Sequence, residues 1–158
     1  MKKVRAGSLL ALLLIQTASA ATSVEEVTNR YMQAWNTHDN KAVTRFFAPN
    51  IKWYDLTTDK QISGKENVAP AIIEYFMGSV SDMYWHKSGD SFVSGDTAIY
   101  EWVYGGVFNG HWGETKIEAQ RFMLKGISTT SINPQGLIIK QKDYYDLSSF
   151  KRALGVEK

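Results

Sequence analysis

The chain has 158 residues, no cysteine, and 18 basic against 16 acidic side chains. That length and 44% hydrophobic residues suit one domain with a buried core. The near-neutral charge argues against electrostatic binding of nucleic acid or anionic lipid, and without cysteine there is no thiol chemistry, thiolate metal site or disulfide.

Met1-Lys-Lys-Val-Arg5, an apolar run from Leu9 to Ile15 and Ala18-Ser-Ala20 have the three regions of a secretory signal peptide, with cleavage expected after Ala20. The run is too short for a permanent membrane span. The expectation is a periplasmic or secreted protein, with no membrane attachment after cleavage: a signal over 1–20 and a single domain over 21–158. Without Lys2, Lys3 and Arg5, 15 basic side chains face 16 acidic ones, so the apparent basicity belongs to the targeting segment.

Ser23-Val-Glu-Glu26 is a capping box, and Val24, Val27, Tyr31, Ala34 and Trp35 follow at helical spacing with one apolar face. Asp39 caps a short second helix with Ala42, Val43, Phe46 and Phe47 inward, and Pro49 is expected to stop it. Ile51-Lys-Trp-Tyr-Asp-Leu56 reads as the first strand, Trp53 and Asp55 sharing a face. After a polar turn, Ser63-Gly-Lys-Glu66 suggests a second capping box. It opens a third helix carrying Val68, Ile72, Tyr75 and Phe76, kinked by Pro70.

From Met83 the pattern becomes strand-like. Met83 to Phe92 reads as one strand, and Ser94-Gly-Asp96 as a tight turn. In Thr97 to Phe108, Tyr100, Trp102 and Tyr104 share a face; Asn109 to Gly113 reads as a turn. Lys116 to Ile132 then places Glu118, Gln120, Phe122 and Leu124 together. Asn133-Pro-Gln-Gly136 suits a type I turn. The last strand sets Leu137, Ile139, Gln141, Asp143 and Tyr145 opposite Lys140, Lys142 and Tyr144, and a short helix through Phe150 to Leu154 ends at Gly155. Helices followed by an antiparallel meander predict an α+β domain, with helices on one face of a curved sheet.

Several residues have two readings. Asp143 shares an inward face with Ile139, where a carboxylate must be paired, hydrogen-bonded or in use; alternatively it is a solvated residue at a strand end. Asp55 is either a pocket acid or a carboxylate that caps the third helix or pairs with a neighbour. Tyr31 is a donor or ordinary core, and Glu118 a buried acid or a solvated strand residue. Tyr100, Trp102 and Tyr104 are a pocket wall for a flat or apolar ligand, or plain core. His86 and His111 are candidates for acid–base work because of the chemistry of imidazole in general, but they are isolated. Three scattered histidines give no metal-ligand spacing. No G-x-S-x-G elbow, phosphate loop or dinucleotide motif is present.

Taken together, Arg30-Tyr31, Trp35-Asn-Thr-His-Asp39, Arg45-Phe-Phe-Ala-Pro49, Gly64-Lys-Glu66, Lys142-Asp-Tyr-Tyr-Asp-Leu147 and Leu154-Gly155 resemble the SnoaL-like proteins of the nuclear-transport-factor-2-like superfamily. The resemblance implies a cone-shaped curved sheet wrapped around three N-terminal helices, a deep apolar pocket and a homodimer. It does not fix the reaction, because the superfamily hosts isomerases, hydrolases, cyclases and non-catalytic binders. Asp143-Tyr-Tyr-Asp146 is similar to the closing motif of limonene epoxide hydrolases. Trp102 and Tyr104, however, stand where those enzymes carry an arginine and a second aspartate, which disfavours epoxide hydrolysis. By resemblance to ketosteroid isomerases, Asp55 falls on the base, Tyr31 on the helix-one tyrosine and Glu118 on the proton-sharing acid. Polyketide cyclases of the SnoaL type match only loosely, through Asp143 or Asp146.

The sequence therefore predicts a small apolar or aromatic ligand bound by Trp35, Trp53, Tyr100, Trp102, Tyr104 and Phe122. Asp55, Tyr31, Glu118 and Asp143 are the candidates for cofactor-free isomerase, cyclase or lyase chemistry. The best catalytic case at this level is Asp55 with Tyr31 and Glu118. The alternatives are a non-catalytic binding or scavenging module, and a domain whose outer face, with Val103, Arg121 and Met123, serves dimerisation or a partner.

Overall fold

The computed structural model describes residues 22–157, so the expected signal segment lies outside the described residues. Helix α1 (Val24–Trp35) begins where the Ser23 hydroxyl accepts from the Glu26 amide at 3.1 Å. Helix α2 (Asn40–Thr44) begins where Asp39 Oδ1 accepts from the Lys41 and Ala42 amides. Pro49 does not stop α2; it lies inside strand β1 (Phe47–Asp55). The register of β1 against its neighbour shifts between Phe47 and Lys52, and such an irregularity tolerates a residue without an N–H.

The polar stretch after β1 is partly a strand, β2 (Lys60–Ser63), paired antiparallel with β1. Ser63 does not cap the next helix. Gly64 is the N-cap of α3 (Lys65–Val68), at φ +88°, where an added Cβ would meet the Glu66 carboxylate. The helical run continues through a π-helical stretch (Ala69–Glu74) into α4 (Tyr75–Ser79). Pro70 stands at its start, and its missing N–H breaks the regular ladder there.

Strands β3 (Val80–Lys87), β4 (Phe92–Ser94), β5 (Thr97–Trp112), β6 (Thr115–Ile132) and β7 (Ile138–Tyr145) follow, and helix α5 (Leu147–Ala153) closes the domain. The expected strand over 83–92 is thus two elements. Sheet order is β2-β1-β7-β6-β5-β3, with β4 also on β5. The β5–β6 hairpin runs past Asn109 and turns at Gly113, φ +59°. Strand β1 pairs parallel with β7, so the sheet is mostly antiparallel rather than a pure meander. The result is an α+β domain whose curled half-barrel sheet encloses the N-terminal helices.

Two slips in pairing decide which side chains point inward. Phe108 opposes Gln120 while Gly110 opposes Ile117, so β6 carries one residue more than β5 across this interval. Ala119 takes φ +49° and its amide donates to Asn109 Oδ1 at 2.7 Å. The bulge reverses parity: Ile117 is buried, Glu118 and Gln120 are exposed, and Phe122 and Leu124 are buried. A second slip, between Ser131 and Ile132 against β7, seats Ile138 in the core in place of the expected Ile139, while Gln141 stays fully buried.

The core beneath α1 is aromatic. Tyr31 meets Trp35, Phe46 and Trp85 edge-on at 6.4, 5.9 and 5.5 Å between ring centres. Strand β3 lies at the edge of the sheet, and Asn36, just past α1, does there what a further strand would do. Its Oδ1 accepts from the Trp85 amide at 2.7 Å and its Nδ2 donates to the Trp85 carbonyl at 3.1 Å. Asn36→Ala strips both partners from a part-buried backbone. It is expected to cost about 1–3 kcal/mol in urea unfolding; an unchanged midpoint would show that the clamp contributes nothing.

Candidate active site

A cavity of about 100 Å³ opens between the sheet and the helices. Alternation along each strand builds it: Trp53 and Asp55 come from β1, Trp102 and Tyr104 from β5, Asp143 and Tyr145 from β7. Trp35, Trp85, Leu124 and Phe150 complete the wall with Ile72 and Phe76. No arginine, lysine or histidine among the described residues lines it. The cavity is small beside the roughly 300–1,000 Å³ usual for ligand pockets, with room for a small group only.

Asp143 sits at the centre of a directed hydrogen-bond network. Its Oδ1 accepts from the Ser128 hydroxyl at 2.6 Å and from Gln141 Nε2 at 2.7 Å. Ser128 in turn accepts from the Trp102 indole N–H at 2.7 Å. Gln141 Oε1 accepts from Thr130 at 2.6 Å, which makes the Tyr100 hydroxyl, 2.9 Å from Thr130 Oγ1, the donor in that last link. Every proton points toward Asp143. Trp102 reaches Ser128 because Gly126, its partner in the β5–β6 register, leaves the indole the space a Cβ would take.

The two chains of donors meet at Oδ1 and leave Oδ2 without a partner among the described residues, on a side chain that lines the cavity. Burial pushes the Asp143 carboxyl up to about 6, although Ser128 and Gln141 favour its charged form; the neighbouring Asp55 carboxylate raises it further. Asp55 is the register partner of Asp143 across β1 and β7, and both of its oxygens are engaged. Oδ1 accepts from the Thr57 amide at 2.9 Å and more weakly from that of Thr58, and Oδ2 accepts from the Tyr145 hydroxyl at 2.9 Å. Asp55 therefore caps the turn after β1 rather than the third helix. Thr57 fastens that turn, its hydroxyl donating to the Tyr145 carbonyl and accepting from the Tyr145 amide.

The expected trio of Asp55, Tyr31 and Glu118 does not assemble. Tyr31 is fully buried behind the cavity wall, and its hydroxyl, like the Trp35 indole N–H, has no partner among the described residues. Burial pushes that phenol well above its ordinary value. Glu118 is 71% exposed and pairs with Lys116, because the bulge at Ala119 turns it outward. Of the expected ligand contacts, Trp35, Trp53, Trp102 and Tyr104 line the cavity. Tyr100 and Phe122 stand one layer back: Tyr100 in the network, Phe122 packed on Tyr104 and Phe150. His86 and His111 are exposed and do not line this cavity. Sequence reasoning misses Ser128, Thr130 and Tyr145 as parts of the site, although Ser128 and Thr130 continue the inward parity of Phe122 and Leu124.

A family model described as SnoaL-like polyketide cyclase matches residues 25–154. No curated protein matches the chain. A protein of Catenulispora acidiphila with a ketosteroid isomerase-like fold, solved in complex with trimethylamine, superposes with a TM-score of 0.69 at 21% identity, covering 85% of this chain and 95% of its own. TsrD from Streptomyces laurentii gives 0.69 at 22% identity, with 84% and 95% covered. A candidate SnoaL-like polyketide cyclase from Shewanella denitrificans gives 0.71 at 17% identity, with 85% and 98% covered. These likenesses establish the fold.

The position of Asp143 has a signature in stability. Because its carboxyl titrates near 6 when folded and near 3.9 when unfolded, the native state holds more protons between those values. Stability contributed by this group is therefore full below about pH 4 and lost as the pH rises through 6. Relative to Asp143→Asn, wild type should lose on the order of 3 kcal/mol of unfolding free energy between those limits. Parallel pH profiles for the two proteins would contradict the assignment.

Proposed function

The chain belongs to the SnoaL-like polyketide cyclase family, and we propose that it binds a small, largely apolar molecule and acts on it by cofactor-free proton transfer with Asp143 as the base. The observation that carries this reading is the divided carboxylate, with Oδ1 fixed by Ser128 and Gln141 while Oδ2 is left for the cavity. A carboxyl near 6 is matched to moving a proton close to neutral pH. Asp55 is less suited to the task, because both of its oxygens already accept hydrogen bonds, from the turn and from Tyr145.

The donor expected of Tyr31 and Glu118 falls instead to Tyr104. Tyr104 lines the cavity, and its hydroxyl donates among the described residues only to the Met83 thioether at 3.4 Å, a weak acceptor that an oxyanion would displace. Burial keeps this phenol protonated. Asp143 would take a proton from an acidic C–H while Tyr104 holds the charge that develops on a neighbouring oxygen. That is a step common to isomerases, cyclases and lyases. The neighbour crystallised with trimethylamine supports a small occupant for such a cavity.

The competing reading is a non-catalytic binding module, in which the acids only hold the sheet together. Exchange of α-hydrogens with deuterated water, followed by NMR over a panel of small enolisable ketones, separates the two. Wild type should accelerate exchange of at least one ketone, and Asp143→Asn should lose roughly 10²–10⁴-fold of that rate, with Tyr104→Phe losing less. Equal rates in wild type and Asp143→Asn would leave the binding module standing.

The sequence also supports export with cleavage after Ala20, and the superfamily resemblance supports a homodimer. Met123 and Ile127, 58% and 43% exposed on the outer face of β6, suit the second. Protein recovered from its native host should begin at Ala21 by mass spectrometry and sediment at twice the mature mass. An uncleaved chain would count against the first proposal, and a strict monomer against the second.

A further inference from the structure

We propose that the cavity's ligand carries a tertiary or quaternary alkylammonium group, held by aromatic rings and by the Asp55–Asp143 pair. The inference rests on the small-molecule reading above and names the chemical class of the ligand.

Asp55 and Asp143 are adjacent across β1 and β7, both line the cavity, and neither takes part in an ion pair among the described residues. Hydrogen bonds orient these carboxylates but supply no counter-charge. A neutral apolar ligand would strip water from both and compensate neither. A cation in the same space supplies what the lining lacks.

The wall of the cavity is mostly aromatic. Its aliphatic lining residues are Ile72 and Leu124; most of the rest is indole, phenol or phenyl. Neighbouring rings stand close to right angles, Trp35 to Trp85 at 81° and Trp85 to Trp102 at 77°, so they pack edge to face rather than in a flat stack. Ring faces attract cations, and alkylated ammonium groups above all, because such groups are weakly hydrated and bring methyl surface to the rings.

A primary ammonium brings three N–H donors, whereas Asp143 Oδ2 is the one carboxylate oxygen of the pair with no partner among the described residues. A tertiary ammonium brings one N–H and a quaternary group none. A quaternary group also leaves Oδ2 free for an adjacent C–H, which the positive nitrogen makes more acidic. A cavity of about 100 Å³ suits such a headgroup.

Choline and 3,3-dimethyl-1-butanol share a shape and differ in charge, which makes them the appropriate probes. Binding is followed by calorimetry and cavity tryptophan fluorescence at about pH 8, where Asp143 is ionised. Choline should bind at least about tenfold more tightly than the alcohol, and Asp55→Asn should weaken choline by a larger factor than the alcohol. Equal or tighter binding of the alcohol would overturn the cationic class and leave the small-molecule site intact. Binding of neither probe would overturn the inference too, while proton transfer by Asp143 would still be decided by hydrogen exchange. The comparison of the two probes on wild type stands even if the variant does not fold.

Discussion

A carboxylate on the inward face of a strand has to be held, and the arrangement around Asp143 follows from that requirement. Unpartnered, a buried charge would cost several kcal/mol or be neutralised. Ser128 from β6 and Gln141 from β7 supply donors, and they are aligned in turn by Trp102 and Tyr100 from β5, the second acting through Thr130. Three neighbouring strands thereby share one register. A slip of one residue in any of them would turn its contribution to the opposite face.

The same arrangement divides labour along β7. Gln141 is fully buried and belongs to the network, Asp143 stands at the boundary, and Tyr145 reaches across to Asp55. Asp55 and Thr57 fasten the end of β1 to the end of β7 in parallel. The cavity is thus rigid on its acidic side and lined by aromatic rings elsewhere. A carboxylate held through one oxygen, on a side chain that faces a largely apolar cavity, is suited to proton transfer. The family fold alone would not imply it, since the fold is a scaffold for many reactions.

Much of this is legible in the sequence where local rules act alone. The Ser23 and Asp39 caps, the shared face of Trp53 and Asp55, and the inward parity of Gln141, Asp143 and Tyr145 depend only on spacing within one element. Glu118 escapes such rules because its orientation depends on an extra residue in β6 that is visible only against β5, where Asn109 grips the Ala119 amide. Spacing assigns Tyr31 correctly to an apolar helix face, but it cannot separate a residue on a cavity wall from one sealed behind it. Ser128 and Thr130 do not stand out because small hydroxyls are common on solvated strand faces, and their partners Gln141 and Asp143 lie on another strand.

The account stands or falls on the protonation of one side chain. Carbon-13 NMR of the Asp143 carboxyl carbon, assigned by comparison with Asp143→Asn, should show a midpoint near 6, moving higher in Ser128→Ala as a donor to the charged form is lost. A midpoint at the ordinary aspartate value of about 3.9, unmoved by loss of Ser128, would mean that Asp143 is a solvated residue and that the network does not converge on it.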